Sequence, residues 1–286
     1  FMENKELEKS YFQDKVILIT GAAGSIGKEL CRKILKHQPK KVIALDQNES
    51  ELFELAEEME VEPVIADIRD KETLEQIFEE YRPQFVLHSA AYKHVPLMEK
   101  YSKEAVQTNI LGTYNLIELA KKYKVEKFIF ISTDKAVYPE SIMGLTKKIG
   151  ELISIHAGFI VVRFANVLAS RGSVIPLWMK QIEEGRPLTI THPDMKRYFM
   201  TIEKACSLVL EATKMGKGGE IFVLDMGNPL RIEDIANMII KQTGKEVPIE
   251  IVGVRPGEKF EEELMTKEEM QRAEKIGDLF IIHNGR

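Results

Sequence analysis

Near its start the chain reads Lys15-Val16-Ile17-Leu18-Ile19-Thr20-Gly21-Ala22-Ala23-Gly24-Ser25-Ile26-Gly27, and this stretch decides the fold. Val16 to Ile19 form an unbroken apolar run, the mark of a strand covered on both faces. From Ser25 onward Ile26, Leu30 and Ile34 recur at helical spacing, which predicts a helix over 25–37. Gly21, Gly24 and Gly27 join the two. Gly21 permits the tight turn, Gly24 lets a pyrophosphate approach the backbone, and Gly27 lets helix and strand pack closely. The free N–H groups at Ser25 and Ile26 then face the phosphates of a dinucleotide.

Working outward, the next strand ends in Ala44-Leu45-Asp46-Gln47. An acid about 20 positions beyond the glycines holds both ribose hydroxyls of NAD and repels a 2′-phosphate. No arginine follows it, so NAD is expected rather than NADP. Strands are predicted over 42–45, 64–66, 85–88, 127–131 and 159–164, and helices over 49–59, 71–81, 103–122 and 141–156. This alternation predicts an α/β protein with a doubly wound parallel Rossmann sheet. After about residue 167 the texture changes. Short strands at 188–191 and 221–224 mix with helices and with turns at 216–219, 227–229 and 255–257. They predict a smaller C-terminal α/β lobe, so the expected division is a dinucleotide domain over 12–167 and a substrate lobe over 168–286, with interleaved borders.

Composition narrows the function. The 286 residues carry a net charge of −5, so no basic field calls for nucleic acid. Cys31 and Cys206 each lie in a helical pattern, which fits packing residues in a reducing cytoplasm. Residues 1–14 are polar and charged, unlike a signal peptide, and no apolar run is long enough to span a bilayer. Phe1 before Met2 suggests a tag remnant or a cut from a longer chain. The histidines are scattered without ligand spacing, so no metal site is expected. No Gly-x-Ser-x-Gly elbow occurs, which argues against a hydrolase.

The Gly-x-x-Gly-x-x-Gly spacing resembles the extended short-chain dehydrogenase/reductase superfamily. By that resemblance Asp67 and Ile68 flank the adenine and Ala90 lines the cofactor site. The superfamily carries Ser/Thr near the end of the fifth strand and Tyr-x-x-x-Lys on the next helix. Here Ser132-Thr133-Asp134-Lys135-Ala136-Val137 is followed by Met143-Gly144-Leu145-Thr146-Lys147. Lys147 is in place, but Met143 stands where the tyrosine is expected, and a thioether has no proton to exchange. Asp134 and Lys135 offer another acid/base pair if burial and neighbouring charge tune them.

These segments, with Ala90-Ala91-Tyr92-Lys93-His94-Val95-Pro96-Leu97-Met98-Glu99 and Arg255-Pro256-Gly257-Glu258-Lys259, resemble the nucleotide-sugar 4,6-dehydratases of polysaccharide biosynthesis. Those enzymes act on UDP-N-acetylglucosamine, and the nearest pattern is that of the members with Met for Tyr, which keep the sugar's C5 configuration. The resemblance spans about residues 12–270. It implies that NAD+ takes a hydride from C4, a base removes the C5 proton, water leaves from C6, and the hydride returns to C6. Carried over by position, Lys135 is the C5 base, Asp134 the acid for the C6 hydroxyl, Thr133 the partner of the C4 oxygen and Lys147 the holder of the nicotinamide ribose. Asp134, directly or through Thr133 or water, is the candidate to deprotonate the C4 hydroxyl.

The same resemblance places Lys93 and Asn166 at the sugar, and Arg171, Arg197, Arg255 and Glu258 at the diphosphate and uridine. His94 reads equally as ligand or structural residue, and His88 as packing. Two departures from the family pattern are Tyr138-Pro139-Glu140-Ser141 and Ala169, at a position where glycine is usual. Many members carry N-terminal membrane helices, which are absent from this sequence. Pairing into a homo-oligomer through the helices at 103–122 and 141–156 is common for the fold. A sugar-nucleotide epimerase on the same scaffold and a silent NAD-binding protein remain as alternatives.

Overall fold

A computed structural model describes residues 11–168 and 170–283. Ala169 lies outside the described residues. In chain order the first half comprises β1 (Val16–Thr20), α1 (Ser25–Leu35), β2 (Lys41–Asp46), α2 (Glu49–Glu58), β3 (Glu62–Ile65), α3 (Lys71–Tyr81), β4 (Phe85–His88), α4 (Val95–Lys100), α5 (Ser102–Ala105), α6 (Thr113–Lys122), β5 (Lys127–Thr133), α7 (Ile142–His156) and β6 (Ile160–Phe164). The second half comprises β7 (Asn166–Val167), α8 (Val174–Glu183), β8 (Leu188–Ile190), β9 (Lys196–Arg197), β10 (Phe199–Met200), α9 (Ile202–Met215), β11 (Glu220–Leu224), β12 (Leu230–Arg231), α10 (Ile232–Thr243), β13 (Ile249–Ile251), α11 (Lys267–Arg272), β14 (Ala273–Ile276) and β15 (Leu279–His283).

The main sheet runs β14-β15-β11-β6-β5-β4-β1-β2-β3. Every pair from β3 across to β11 is parallel. The hairpin β14–β15 closes the far edge antiparallel. Strands β4, β6 and β11 are buried at every residue, as helix cover on both faces requires. The opposite edge, β3, alternates in exposure and carries Pro63, which an edge tolerates because it needs no second ladder partner.

The division between domain and lobe is not a single cut. Trp178, Ile182, Leu188, Ile232 and Ala236 form a separate small core for the lobe. The strand expected within that lobe at 221–224 instead returns to the main sheet as β11, beside β6. Its unbroken run Ile221-Phe222-Val223-Leu224 is the physical reason, since such a run needs cover on two faces.

The single helix expected over 103–122 is interrupted. Between α5 and α6 the backbone winds as a π-helix, Val106–Gly112. There the Asn109 amide accepts from the Tyr92 N–H at 2.8 Å and donates to the Tyr92 carbonyl at 3.0 Å. Gly112 faces Ile68, whose Cγ1 would lie 2.6 Å from an added Cβ. Such π-turns commonly mark functional sites.

Candidate active site

A cleft of about 680 Å³ opens at the carboxyl ends of β1, β4 and β5, where the strand order reverses and α/β sheets bind ligands. Gly21 takes φ +67°, and a Cβ there would lie 2.8 Å from the Ala90 backbone N and Cα. A Cβ on Gly27 would overlap the Gly21 carbonyl and lie 2.6 Å from the Ala22 Cα. Side chains cap α2, α3, α7 and α9, but α1 begins at Gly24 with no side-chain cap. Its first N–H groups at Ser25 and Ile26 therefore remain available to an anion. Helix α8 also starts uncapped, with the buried Ser173 hydroxyl unpartnered.

Asp46 lines the cleft. Its carboxylate accepts from the Ala23 N–H at 3.1 Å and the Asn48 N–H at 3.0 Å. Asp67 accepts from Arg69 Nε at 2.8 Å and Nη2 at 2.6 Å. Burial favours its neutral form, but those bonds overcome burial and hold it below the usual carboxylate range. Ile68 and Ala90 complete this half of the lining.

His88 is a buried structural residue. Thr113 donates its hydroxyl to the Asn109 carbonyl at 2.8 Å, so it accepts from His88 Nε2 at 2.9 Å. Nδ1 is then the acceptor for the Thr20 hydroxyl at 2.7 Å. Burial, with Lys147 adding repulsion, pushes the ring down to about 3.

At the other end of the cleft, β5 delivers Thr133 and a 3₁₀ turn, Asp134–Ala136. The Thr133 hydroxyl donates to Asp134 Oδ1 at 2.8 Å, and Lys135 Nζ donates to the same oxygen at 3.0 Å. Asp134 Oδ2 is buried without a partner. Lys135 also donates to Asn166 Oδ1 at 3.2 Å. Met143, in the first turn of α7, packs with Met98 and Ala105 and lines the cleft.

One turn on, Lys147 donates to the Ile131 carbonyl at 2.6 Å and lies 4.0 Å from the Phe130 ring centroid. Burial pushes it down to about 7 against the opposing charge of Glu151. Glu151 is itself buried and paired with Arg163 at 2.7 Å, which pairs in turn with Glu269 at 2.9 Å. This chain of charges ties α7, β6 and α11 together behind the site.

The residues expected at the substrate are spread over different settings. Lys93, Asn166 and Arg171 line the cleft, whereas Arg197, Arg255 and Glu258 do not. Lys93 donates to the Arg171 carbonyl at 2.8 Å. Burial, then Arg171, lowers its pKa. The Arg171 N–H donates to Ser25 Oγ at 2.9 Å, and its guanidinium pairs with Glu51 of α2. Arg171 therefore crosses to the dinucleotide half. Arg197 was expected at a diphosphate; it is buried, and donates to the carbonyls of Lys196 at 2.7 Å, Phe260 at 3.1 Å and Lys259 at 2.8 Å. Its five fixed donors suit several carbonyls at once. Glu258 stands 3.6 Å from it, and Arg255 is exposed. His94 packs against Gly172.

Two groups escaped the sequence. Asn109 gave no signal, because the π-turn that aims it has no local pattern. Glu262 sits within a run of acids that reads as a solvated face, yet it is buried 3.8 Å from Lys135 Nζ. Among the described residues there is no cluster of metal-ligating side chains, and no helix is long and apolar enough to cross a membrane.

The mostly parallel sheet with flanking helices and the glycine turn define a Rossmann-type fold of the extended short-chain dehydrogenase/reductase kind. The chain belongs to the polysaccharide biosynthesis protein family, whose model matches residues 17–284. It is 48% identical over 275 residues to the capsular polysaccharide biosynthesis protein CapD of Staphylococcus aureus, covering 90% of this chain and 46% of that one. The chain thus spans about half the length of that relative. It is 35% identical to the UDP-glucose 4-epimerase of Rickettsia canadensis, covering 95% of this chain and 83% of that one. Among solved structures, Pen from Bacillus thuringiensis superposes with a TM-score of 0.92 at 38% identity, covering 96% of this chain and 90% of that one. The dTDP-glucose 4,6-dehydratase DesIV from Streptomyces venezuelae, solved with NAD and TYD bound, shares the fold at a TM-score of 0.80 and 21% identity, covering 90% of each chain.

Proposed function

We propose that this chain is a UDP-N-acetylglucosamine 4,6-dehydratase that forms a UDP-4-keto-6-deoxy-N-acetylhexosamine and regenerates its NAD in each turnover. The observation that carries the reading is the Thr133–Asp134–Lys135 cluster: Thr133 and Lys135 line the cleft, Asp134 is buried behind them with one oxygen unpartnered, and Met143, which cannot exchange a proton, lines the same cleft.

The cofactor half fits NAD. The uncapped start of α1 and the glycine cradle suit the pyrophosphate, Asp46 the adenosine ribose, Asp67 and Ile68 the adenine, and Ala90 and Lys147 the nicotinamide end. When bound, NAD accepts the hydride from C4 and gives it back at C6. The chain's own residues manage the protons. Thr133 hydrogen-bonds the C4 oxygen and relays its proton to the Asp134 carboxylate. Lys135, as the free amine, removes the C5 proton that the C4 ketone has acidified. Asp134 passes its proton to the C6 hydroxyl, which leaves as water. Lys135 returns its proton to C5, so both groups end as they began. Lys93 and Asn166 face the sugar, and we assign Arg171 to the closing of the cleft over the dinucleotide.

An epimerase is the second reading, favoured by the Rickettsia relative. Incubation with UDP-N-acetylglucosamine followed by mass spectrometry separates the cases. A dehydratase yields a product lighter by one water. An epimerase yields an isomer of unchanged mass, and a silent protein yields neither. We also read the exposed Leu111, Tyr114, Leu145 and Leu152 as a surface for a second copy, to be checked by light scattering.

A further inference from the structure

Glu262 has no part in the proposed proton cycle, yet the fold goes to some length to place it. Its neighbours Glu261 and Glu263 are exposed, while Glu262 is 4% exposed. The segment that carries it is pinned from two sides. Arg197 donates to the carbonyls of Lys259 and Phe260, and Lys196 N–H donates to Phe260 O at 2.8 Å. Lys259 Nζ reaches across to the Val137 carbonyl at 2.8 Å. The result sets Glu262 Oε1 3.8 Å from Lys135 Nζ and Oε2 3.8 Å from Lys259 Nζ. Both are ion-pair separations rather than hydrogen bonds. Oε2 is buried without a hydrogen-bond partner, a condition that proteins rarely leave unused.

The charged groups facing Glu262 are Lys135 and Asp134 from the turn after β5, Arg197 from β9, and Lys259 from its own segment. Burial acts first and raises its pKa. Lys135 opposes, Asp134 adds to the rise, and Arg197 and Lys259 oppose.

The chemistry leaves a vacancy that fits this carboxylate. A proton on Lys135 Nζ must leave before that nitrogen can take one from C5, and Glu262 is the second carboxylate within ion-pair distance of it. Asp134 is committed to the proton that travels from the C4 oxygen to the C6 oxygen. A third group must hold the proton that Lys135 gives up.

We propose that Glu262 is the positioning residue that makes Lys135 a base, by accepting the ammonium proton when substrate closes the site and returning it after product leaves. The step is Lys135–NH3+ with Glu262–COO− going to Lys135–NH2 with Glu262–COOH. One N–H bond breaks, one O–H bond forms, net charge is unchanged, and no other reactant is needed. The inference rests on Lys135 as the C5 base.

The test is the pH dependence of turnover in the full chain with NAD+ and UDP-N-acetylglucosamine, for wild type, Glu262→Gln and Glu262→Asp. In wild type the lysine–glutamate pair shares one proton, so turnover is flat around neutrality. In Glu262→Gln that proton acceptor is lost, so turnover is depressed near neutrality and recovers as the pH rises. Exchange of the C5 hydrogen with deuterated solvent falls in parallel, while the first oxidation, read as reduced-cofactor absorbance in a single turnover, persists. Glu262→Asp restores the flat profile in part. A Glu262→Gln enzyme with the wild-type profile overturns the proposal. So does an equal loss of oxidation and exchange at every pH, the mark of a purely structural role. If wild type removes no water at all, the dehydratase reading itself falls. If it removes water and Glu262→Gln behaves like it, only the role of Glu262 falls.

Discussion

The two halves of the cleft are built in opposite ways. The dinucleotide half comes from consecutive elements. β1, its turn and α1 form one unbroken stretch, and Asp46 ends the very next strand. The chemical half is gathered from afar: Thr133 to Lys135, Asn166 and Glu262 meet although 31 positions separate Lys135 from Asn166. The first half depends on where a Cβ is missing. The second depends on where buried charges find partners. The difference teaches that binding and chemistry should be separable by mutation.

The largest expected effect comes from the chemical half. Asp134→Asn or Lys135→Ala should lower turnover by about 10²–10⁴-fold, the usual contribution of a general acid or base. NAD affinity should stay within a few-fold of wild type. Steady-state kinetics beside a fluorescence titration of the cofactor would check both, and a parallel loss of affinity would break the separation.

Next in size is Gly27→Ala in the dinucleotide half. Its Cβ meets backbone atoms of Gly21 and Ala22, which cannot rotate away. The expected cost is about 1–3 kcal/mol of stability, with NAD binding lost before the fold is. Denaturant unfolding with and without NAD measures it.

A smaller effect concerns Lys147, where the halves meet. Its pKa in the fold is about 7, against an ordinary 10.5. Between those values the unfolded chain binds more protons, so stability attributable to this group rises with pH over that window. Below about 7 both states are charged, and the full cost of burying the ammonium remains. Lys147→Met should therefore raise the melting temperature more at pH 6 than at pH 9, while abolishing turnover. A melting-temperature difference independent of pH would contradict this.

The smallest effect is expected at Arg171. Its pair with Glu51 is largely exposed on the arginine side, and such pairs contribute about 0–1 kcal/mol. Arg171→Ala should leave stability nearly unchanged and weaken NAD only modestly, because the pair with Glu51 is lost while the backbone N–H that holds Ser25 stays. Isothermal titration would show whether the loss falls on NAD or on the UDP-sugar.

The same contrast explains what could be read from the sequence. The glycine turn, Asp46 and the parallel sheet were legible because each is a local pattern with one physical meaning. That Thr133, Lys135 and Met143 line the cleft was legible once β5 and α7 were placed, whereas the burial of Asp134 behind them was not. Glu262 was not. Its neighbours Glu261 and Glu263 face water, and it is tertiary bonds from Arg197, Lys196 and Lys259 that turn it inward. The carbonyl partners of Arg197 were equally hidden, because they come from the distant 259–260 segment and its own neighbour Lys196. Strand β11 was assigned to the lobe, although its unbroken apolar run already called for two-sided cover.

The proposed reaction requires the dinucleotide to take a hydride from C4 and return it to C6 of the same sugar. UDP-N-acetylglucosamine deuterated at C4 tests it most directly. NMR of the product should find the deuterium in the C6 methyl group, with no net reduction of the cofactor. Deuterium that stays on C4 of an isomerised sugar, or that accumulates in the reduced cofactor, would contradict it.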